Sequence, residues 1–322
     1  MRTERHPEVA VVGSGPNGLA AAITLARAGV GVRVYEAKGT IGGGTRTEEL
    51  TLPGFHHDVC SAIHPTAAIS PFFQTIPLAR LGIDLVGPPV PLVHAFDDGR
   101  AVGLFESIEE TAAQLGRDGN QWTRLMSPLA ARRSDLFSET LRPVRVPRHP
   151  FLMAAFALRA LRSCESLLKR FDSEEARGLF AGCAAHGVVP LDKAATASFG
   201  MILALSAHAV NWPLIRGGSV AIADGLRRYL EELGGEIVTD HPVRSLTGLD
   251  HHRAVIFDLT PRQILTITGS HFPPRYRKGL ERYRYGPGIF KVDWALDGPI
   301  PWKNPLCLRS ATVHLGGTFE QI

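Results

Sequence analysis

The apolar positions near the start of the chain change period twice within a few dozen residues. Val9–Val12 (VAVV) is an unbroken apolar run, the pattern of a strand buried in a parallel sheet. Leu19, Ala22, Ile23 and Ala26 then recur at helical spacing, and Gly29 ends the run. VRVYE (32–36) reads as the next strand, giving strand–turn–helix–strand in about 30 residues. A second helical stripe, Ile222, Leu226, Leu230 and Leu233, is predicted to start at Ser219 as N-cap and to stop at Gly234 and Gly235. Strands EIVT and PVRSL should follow it. AVIFDLTPRQIL (254–265) reads as one more buried strand, leaving its sheet at a proline. Between these blocks, SIEETAAQLGRDGNQWTRLM predicts a helix with Ser107 and Glu110 as a capping box. FLMAAFAL (151–158) and FGMILAL (199–205) are the longest apolar segments, well short of the ~20 residues of a membrane span. GPGIFKVDWALDGPIPW (286–302) alternates with period two. Phe290, Val292, Trp294 and Leu296 are expected on a core face, with Ile289, Lys291, Asp293 and Ala295 opposite.

The first turn carries candidate chemistry. Gly13, Gly15 and Gly18 have the spacing G-x-G-x-x-G between a strand and a helix. Gly13 permits the tight turn, Gly15 lets the backbone approach a pyrophosphate, and Gly18 lets helix and strand pack closely. Pro16 and Asn17 complete the turn, and the helix N-terminus offers N–H groups and partial positive charge to phosphates. Glu36 follows the first glycine by 36 − 13 = 23 residues, where a carboxylate accepts hydrogen bonds from a ribose diol; Ala37 lies beside it. A dinucleotide site is expected, and the turn alone leaves NAD and FAD both open.

Composition changes the picture little. The chain has 322 residues, 44% apolar and 20% charged, ordinary for a two-domain globular protein, and its net charge of +4 does not argue for nucleic acid. Cys60, Cys164, Cys183 and Cys307 are scattered, with neither disulfide-frame nor zinc spacing. His56, His57 and Asp58 resemble a metal cluster only on paper, because neighbours on a strand point oppositely, so no metal is expected. MRTERHPEV leads directly into the first strand without a secretory leader, so a reducing, cytoplasmic setting is expected. From Arg132 to Arg170 there are nine Lys and Arg against three Asp and Glu, a balance of +6. Such a segment beside an apolar helix suits a membrane surface or a hydrophobic substrate entrance; a buried helix with a solvated flank is the alternative. Nothing in the sequence fixes an oligomeric state.

KGTIGGGTRTEELTLPGFHHDVCSAIHP (38–65) narrows the cofactor. Its Gly42, Gly43, Gly44, Thr45, Arg46 and Thr47 resemble the G-G-x-x-R-[S/T] continuation of FAD enzymes of the amine oxidase and phytoene desaturase superfamily. RGGSVAIADGLRRYLEELGGEIVTDHPVRSL (216–246) is similar to a second block of those enzymes, in which the residue matching Val243 holds the adenine through its backbone. TLPGFHHDVCSAIHP, AAHGVVPLDKAATASFG, YGPGIFKVDWALDGPIPW and ATVHLGGTFEQI look like the branch described as pyridine nucleotide-disulphide oxidoreductase domain-containing protein 2.

The resemblance implies an α/β, Rossmann-like FAD-binding domain (1–70 and 212–268) with an interleaved α+β substrate domain (71–211 and 269–322). It implies a cofactor site at Gly13, Gly15, Pro16, Asn17, Gly18, Glu36, Ala37, Gly43, Gly44, Thr45, Arg46 and Val243. It gives Lys291 the role of the strand lysine that holds a water at flavin N5, and it passes Asp58, Cys60 and His64 near the flavin. The implied activity is removal of a hydride from a small apolar substrate. A non-catalytic lipid- or protein-binding role is the alternative, as in the prenyl-GTPase dissociation inhibitors that share the scaffold. Asn211 before Trp212, and Gly44, depart from the family pattern near the expected cavity. Family members continue past the position of Ile322, so a C-terminally shortened chain is expected.

Overall fold

A computed structural model describes residues 8–322. The chain forms two compact units. The first comprises residues up to Ala62, Pro77–Asp84 and Ile215–Ala295; the second comprises Ile63–Ile76, Leu85–Leu214 and Leu296–Ile322. This division differs from the expected one at 77–84 and 269–295, which fall in the first unit, and at 63–70 and 212–214, which fall in the second. Ile83 packs against Gly225, and Arg80 meets Glu232 at 2.8 Å, fastening 77–84 to the helix Val220–Glu232. Farther on, the Tyr285 hydroxyl accepts from the Arg262 N–H at 3.1 Å, and His57 lies 3.7 Å from Asp293.

The first unit is built on a parallel sheet with strands in the order Ala254–Phe257, Val9–Val12, Val32–Tyr35, Glu236–Val238. Val9–Val12 is buried along its whole length, as an apolar run without alternation requires. The helix Pro16–Arg27 buries Gly18, Leu19, Ala22, Ile23 and Ala26, the stripe read from the sequence. Leu19 and Ile23 are fully buried, each contributing about 1.5–3 kcal/mol of transfer free energy. The helix Val220–Glu232 buries Ile222, Ala223, Gly225, Leu226 and Leu230. Ser219 does not cap it with its side chain. Its Oγ donates to the Ser61 carbonyl at 2.5 Å, and its N–H donates to Asp58 Oδ1 at 2.7 Å.

Two strand expectations fail here. PVRSL is irregular, because Pro242 offers no N–H to a ladder and the chain bends back on the sheet: the His241 N–H donates to the Glu36 carbonyl at 2.8 Å. Residues 286–302 are also irregular, and Phe290, Val292, Trp294 and Leu296 are exposed rather than core. Alternation makes a strand only where a neighbour supplies the hydrogen-bond ladder, and among the described residues none pairs with this segment.

The second unit is mostly helical around a small sheet. Leu92–Ala95 lies centrally, antiparallel to Ala101–Leu104 and parallel to Val313–His314. Its core gathers Trp122, Leu125, Met126, Leu136, Phe180, Leu205 and Trp212. The helices Glu174–Ala185 and Thr196–Val210 pack closely because a Cβ on Gly200 would lie 2.6 Å from the Phe180 ring. The helix predicted from Ser107 is two, Ile108–Gln114 and Gly119–Ala130, separated at Gly116 with φ +52°. Ser107 caps the first by accepting from the Glu110 N–H at 3.0 Å, but its own hydroxyl donates to Glu109, so the box does not close. Among the described residues no helix is long and apolar enough to cross a membrane.

Candidate dinucleotide-binding site

The groove of the first unit lies where the strands end and the helix Pro16–Arg27 begins. Gly13 turns with φ +106°, and a Cβ there would sit 2.6 Å from the Asp258 carbonyl. A Cβ on Gly18 would lie 2.3 Å from the Gly13 carbonyl, so helix and strand touch through backbone. A Cβ on Gly15 would meet Asp258 Oδ2 at 2.7 Å. The second glycine turn stacks on the first. The Gly42 N–H donates to the Ser14 carbonyl at 3.0 Å, and a Cβ on Gly43 would lie 3.1 Å from the Gly15 Cα. Glu36 braces the first turn and the start of the loop that follows it: Oε2 accepts from the Ser14 N–H at 3.1 Å and hydroxyl at 2.5 Å, and Oε1 from the Lys38 N–H at 2.9 Å. Among the described residues the Gly15 and Asn17 N–H groups have no acceptor.

Residues 11–76 match the NAD(P)-binding Rossmann-like domain family. Among curated proteins, one of the subunits of the limonene dehydrogenase of Castellaniella defragrans is 30% identical over 117 residues, 36% of this chain and 21% of that one. Among solved structures, putrescine oxidase bound to putrescine aligns with TM-score 0.53 at 22% identity, over 85% of this chain and 63% of that one. Cyclohexylamine oxidase from Brevibacterium oxydans aligns at 0.51 and 18% identity, over 86% and 63%. A CLA-producing fatty acid isomerase from P. acnes aligns at 0.53 and 15%, over 87% and 64%. The chain shares its fold with these two amine oxidases and the isomerase. It spans less than two thirds of each of these proteins.

In this amine-oxidase-type fold the groove encloses about 820 Å3. Gly13, Gly15, Pro16, Asn17, Glu36, Ala37, Gly43, Gly44 and Val243 all line it. Val243 does so from an irregular segment rather than a strand. Gly18 is buried behind the turn. Thr45 and Arg46 are not part of the groove wall. Thr45 donates to the Gly42 carbonyl at 2.8 Å, and Arg46 donates from Nε to the Gly43 carbonyl at 3.0 Å and pairs with Glu48. Both support the second turn from behind.

Lys291 sits in the irregular segment and pairs with Asp293. Asp58 ties two loops together, accepting from the Thr47 hydroxyl at 2.7 Å and from the Ser219 N–H at 2.7 Å. Cys60 is exposed and packs beside Gly44, whereas His64 belongs to the second unit and is buried there. Among the described residues no group of three or more His, Cys, Asp or Glu side chains is placed to hold a metal ion.

Sequence reasoning missed Asp258. Its Oδ2 accepts from the Gly18 N–H at 2.9 Å, a carboxylate at the helix N-terminus and on the groove wall. The available signal was an acid immediately after the strand Ala254–Phe257, at the carboxyl end of a parallel sheet where ligands of such folds bind. Ser14 was missed as well, although its hydroxyl joins the two glycine turns and Glu36.

Proposed function

We propose that this chain binds FAD in the groove of its first unit and works as an oxidoreductase on an apolar substrate. The observation that carries the reading is the pair of stacked glycine turns, with the Gly15 and Asn17 N–H groups lacking an internal acceptor and the Glu36 carboxylate at the far wall. Donors without a partner at a helix N-terminus suit a pyrophosphate. Gly43 and Gly44 bring the second turn to the same groove, and Val243 is the residue that would hold the adenine. Bound flavin supplies a hydride acceptor; this chain supplies binding and position. Arg46 holds the second turn in shape, and Lys291 is the residue proposed to hold a water near the flavin.

An apolar substrate is supported by the second unit. It contains a cavity of about 590 Å3 walled by Met153, Phe156, Phe199, Ile202 and Leu203, with Arg142 and Arg145 among its polar groups. The relative named for limonene and the fold neighbour named for a fatty acid support the same substrate class. The test is optical. Purified protein titrated with FAD should gain a resolved flavin spectrum and release FAD on denaturation. No association with FAD, together with tight binding of NAD in its place, would overturn the reading.

A further inference from the structure

The helix Pro150–Ala160 is apolar around its circumference up to Arg159 in its last turn, close to the pattern of a buried helix, yet only one side is covered. Phe156 and Ala160 are buried in the core of the second unit. Phe151, Ala154, Ala155 and Leu158 form the opposite stripe at i, i+3, i+4 and i+7, and all four are exposed. Phe151 retains 89% and Leu158 78% of its full accessibility. The loop before the helix adds Val144 and Val146, also exposed. Within the chain, half of the apolar surface of this element has no cover.

The charges around it are one-sided. From Arg142 to Arg170 there are seven Lys and Arg and a single acid, Glu165. The ion pairs just upstream, Arg132 and His149 with Asp135, involve none of the seven. Arg170 Nε is buried without a hydrogen-bond partner. Burial, and then the repulsion of Arg159 and Arg162, hold the Arg170 pKa below the ordinary guanidinium range. A protein partner matching only the apolar stripe would leave these cations uncompensated. An anionic bilayer surface matches both, offering acyl chains to the stripe and phosphates to the rim.

We propose that this face docks on a bilayer containing anionic lipid, with Phe151, Leu158 and Val144 at the acyl boundary and Arg148, Arg159 and Arg162 among the headgroups. The same loop and helix wall the apolar cavity through Val144, Arg145, Met153 and Phe156. Delivery of a membrane-dissolved substrate to that cavity rests on the redox reading; the docking itself does not.

The experiment is co-sedimentation of the full chain with vesicles of phosphatidylcholine alone or with a quarter phosphatidylglycerol. Binding is expected on the anionic vesicles and about 100-fold weaker on the neutral ones, roughly fivefold for each of the three headgroup arginines. Arg148→Gln with Arg159→Gln should weaken binding about 25-fold, roughly fivefold per arginine. Phe151→Ser with Leu158→Ser should lower it further while circular dichroism and FAD titration stay unchanged. If that pair fails to fold, Val144→Ser in the loop replaces it, with a several-fold loss expected. Absence of vesicle binding, or binding indifferent to all of these changes, overturns the proposal. So does a concentration-dependent dimer abolished by Phe151→Ser, which would assign the face to a second copy of the chain. The vesicle readout needs no flavin, so failure of FAD binding leaves it standing.

Discussion

The groove of the first unit is shaped by close approaches at its glycine turns, whereas the cavity of the second is walled by larger side chains. In the groove Gly13 and Gly18 meet backbone too closely to admit a Cβ, Gly15 meets the Asp258 carboxylate, and Gly43 lies tight against the Gly15 Cα. The cavity draws on Thr66, the 139–147 stretch, Met153, Phe156, His186 and the 198–203 turn of a helix. A recess shaped by such approaches tolerates almost no substitution at its glycines but accepts varied neighbours. A recess made of side chains can be reshaped gradually, so specificity can drift there while cofactor binding stays fixed.

The most severe break of this contrast is Gly18→Val. Its Cβ would fall 2.3 Å from the Gly13 carbonyl, so loss of FAD binding and at least ~3 kcal/mol of stability are expected, read by titration and thermal melting. A variant that still binds FAD would show that backbone contact does not define the groove.

The second unit should be the more acid-sensitive part. His208 accepts from Trp122 Nε1 at 3.1 Å and is held down to about 4, first by burial. His314 is held at about 3, and His94 also below its ordinary value, burial being the main cause for both. The unfolded chain takes up these protons near pH 6.5 while the folded chain refuses them, so stability is full above 6.5 and falls as pH drops toward 4. His208 alone contributes of order 3 kcal/mol to that loss. Melting temperatures across pH 4–7 test this, and His208→Gln should flatten the profile.

Glu36→Gln keeps the shape of the groove wall but removes its charge. FAD affinity should fall roughly tenfold to a hundredfold in the same titration, the range for a hydrogen bond to a charged acceptor. Ile202→Asn in the cavity should weaken an apolar fluorescent probe about tenfold without moving the FAD titration; a change in both would erase the contrast. Lys291→Met should be the mildest for stability, within ~0.5 kcal/mol, because its pair with Asp293 is partly solvated. Flavin reduction and reoxidation rates in that variant decide whether the lysine serves the chemistry: a tenfold change in either keeps the role, and unchanged rates remove it.

The same contrast explains what was readable in advance. Gly13, Gly15 and Gly18 were legible because a tight turn and close approaches each demand glycine at one local spacing, and Glu36, which lines the groove, because it directly follows the second strand. The helices Pro16–Arg27 and Val220–Glu232 were legible because one face of each is fully buried, so the period shows. Residues 286–302 misled because a period of two records what a strand would bury, not whether a partner strand exists. Arg46 was assigned to the ligand because a guanidinium fits phosphate, but the Gly43 carbonyl and Glu48 are nearer claimants. Asp258 and the cavity were hidden because each depends on segments that sequence distance separates.

That distance has a consequence for how the molecule is made. The carboxylate bonded to Gly18 arrives 240 residues later, immediately after the strand that pairs with Val9–Val12. As the chain emerges from the ribosome, the amino-terminal turn must wait, one edge of its sheet unpaired, until almost the whole second unit has been synthesised. Release of nascent chains before Asp258 should therefore leave an aggregation-prone fragment, and a chaperone that shields that edge should raise the yield of the full-length protein.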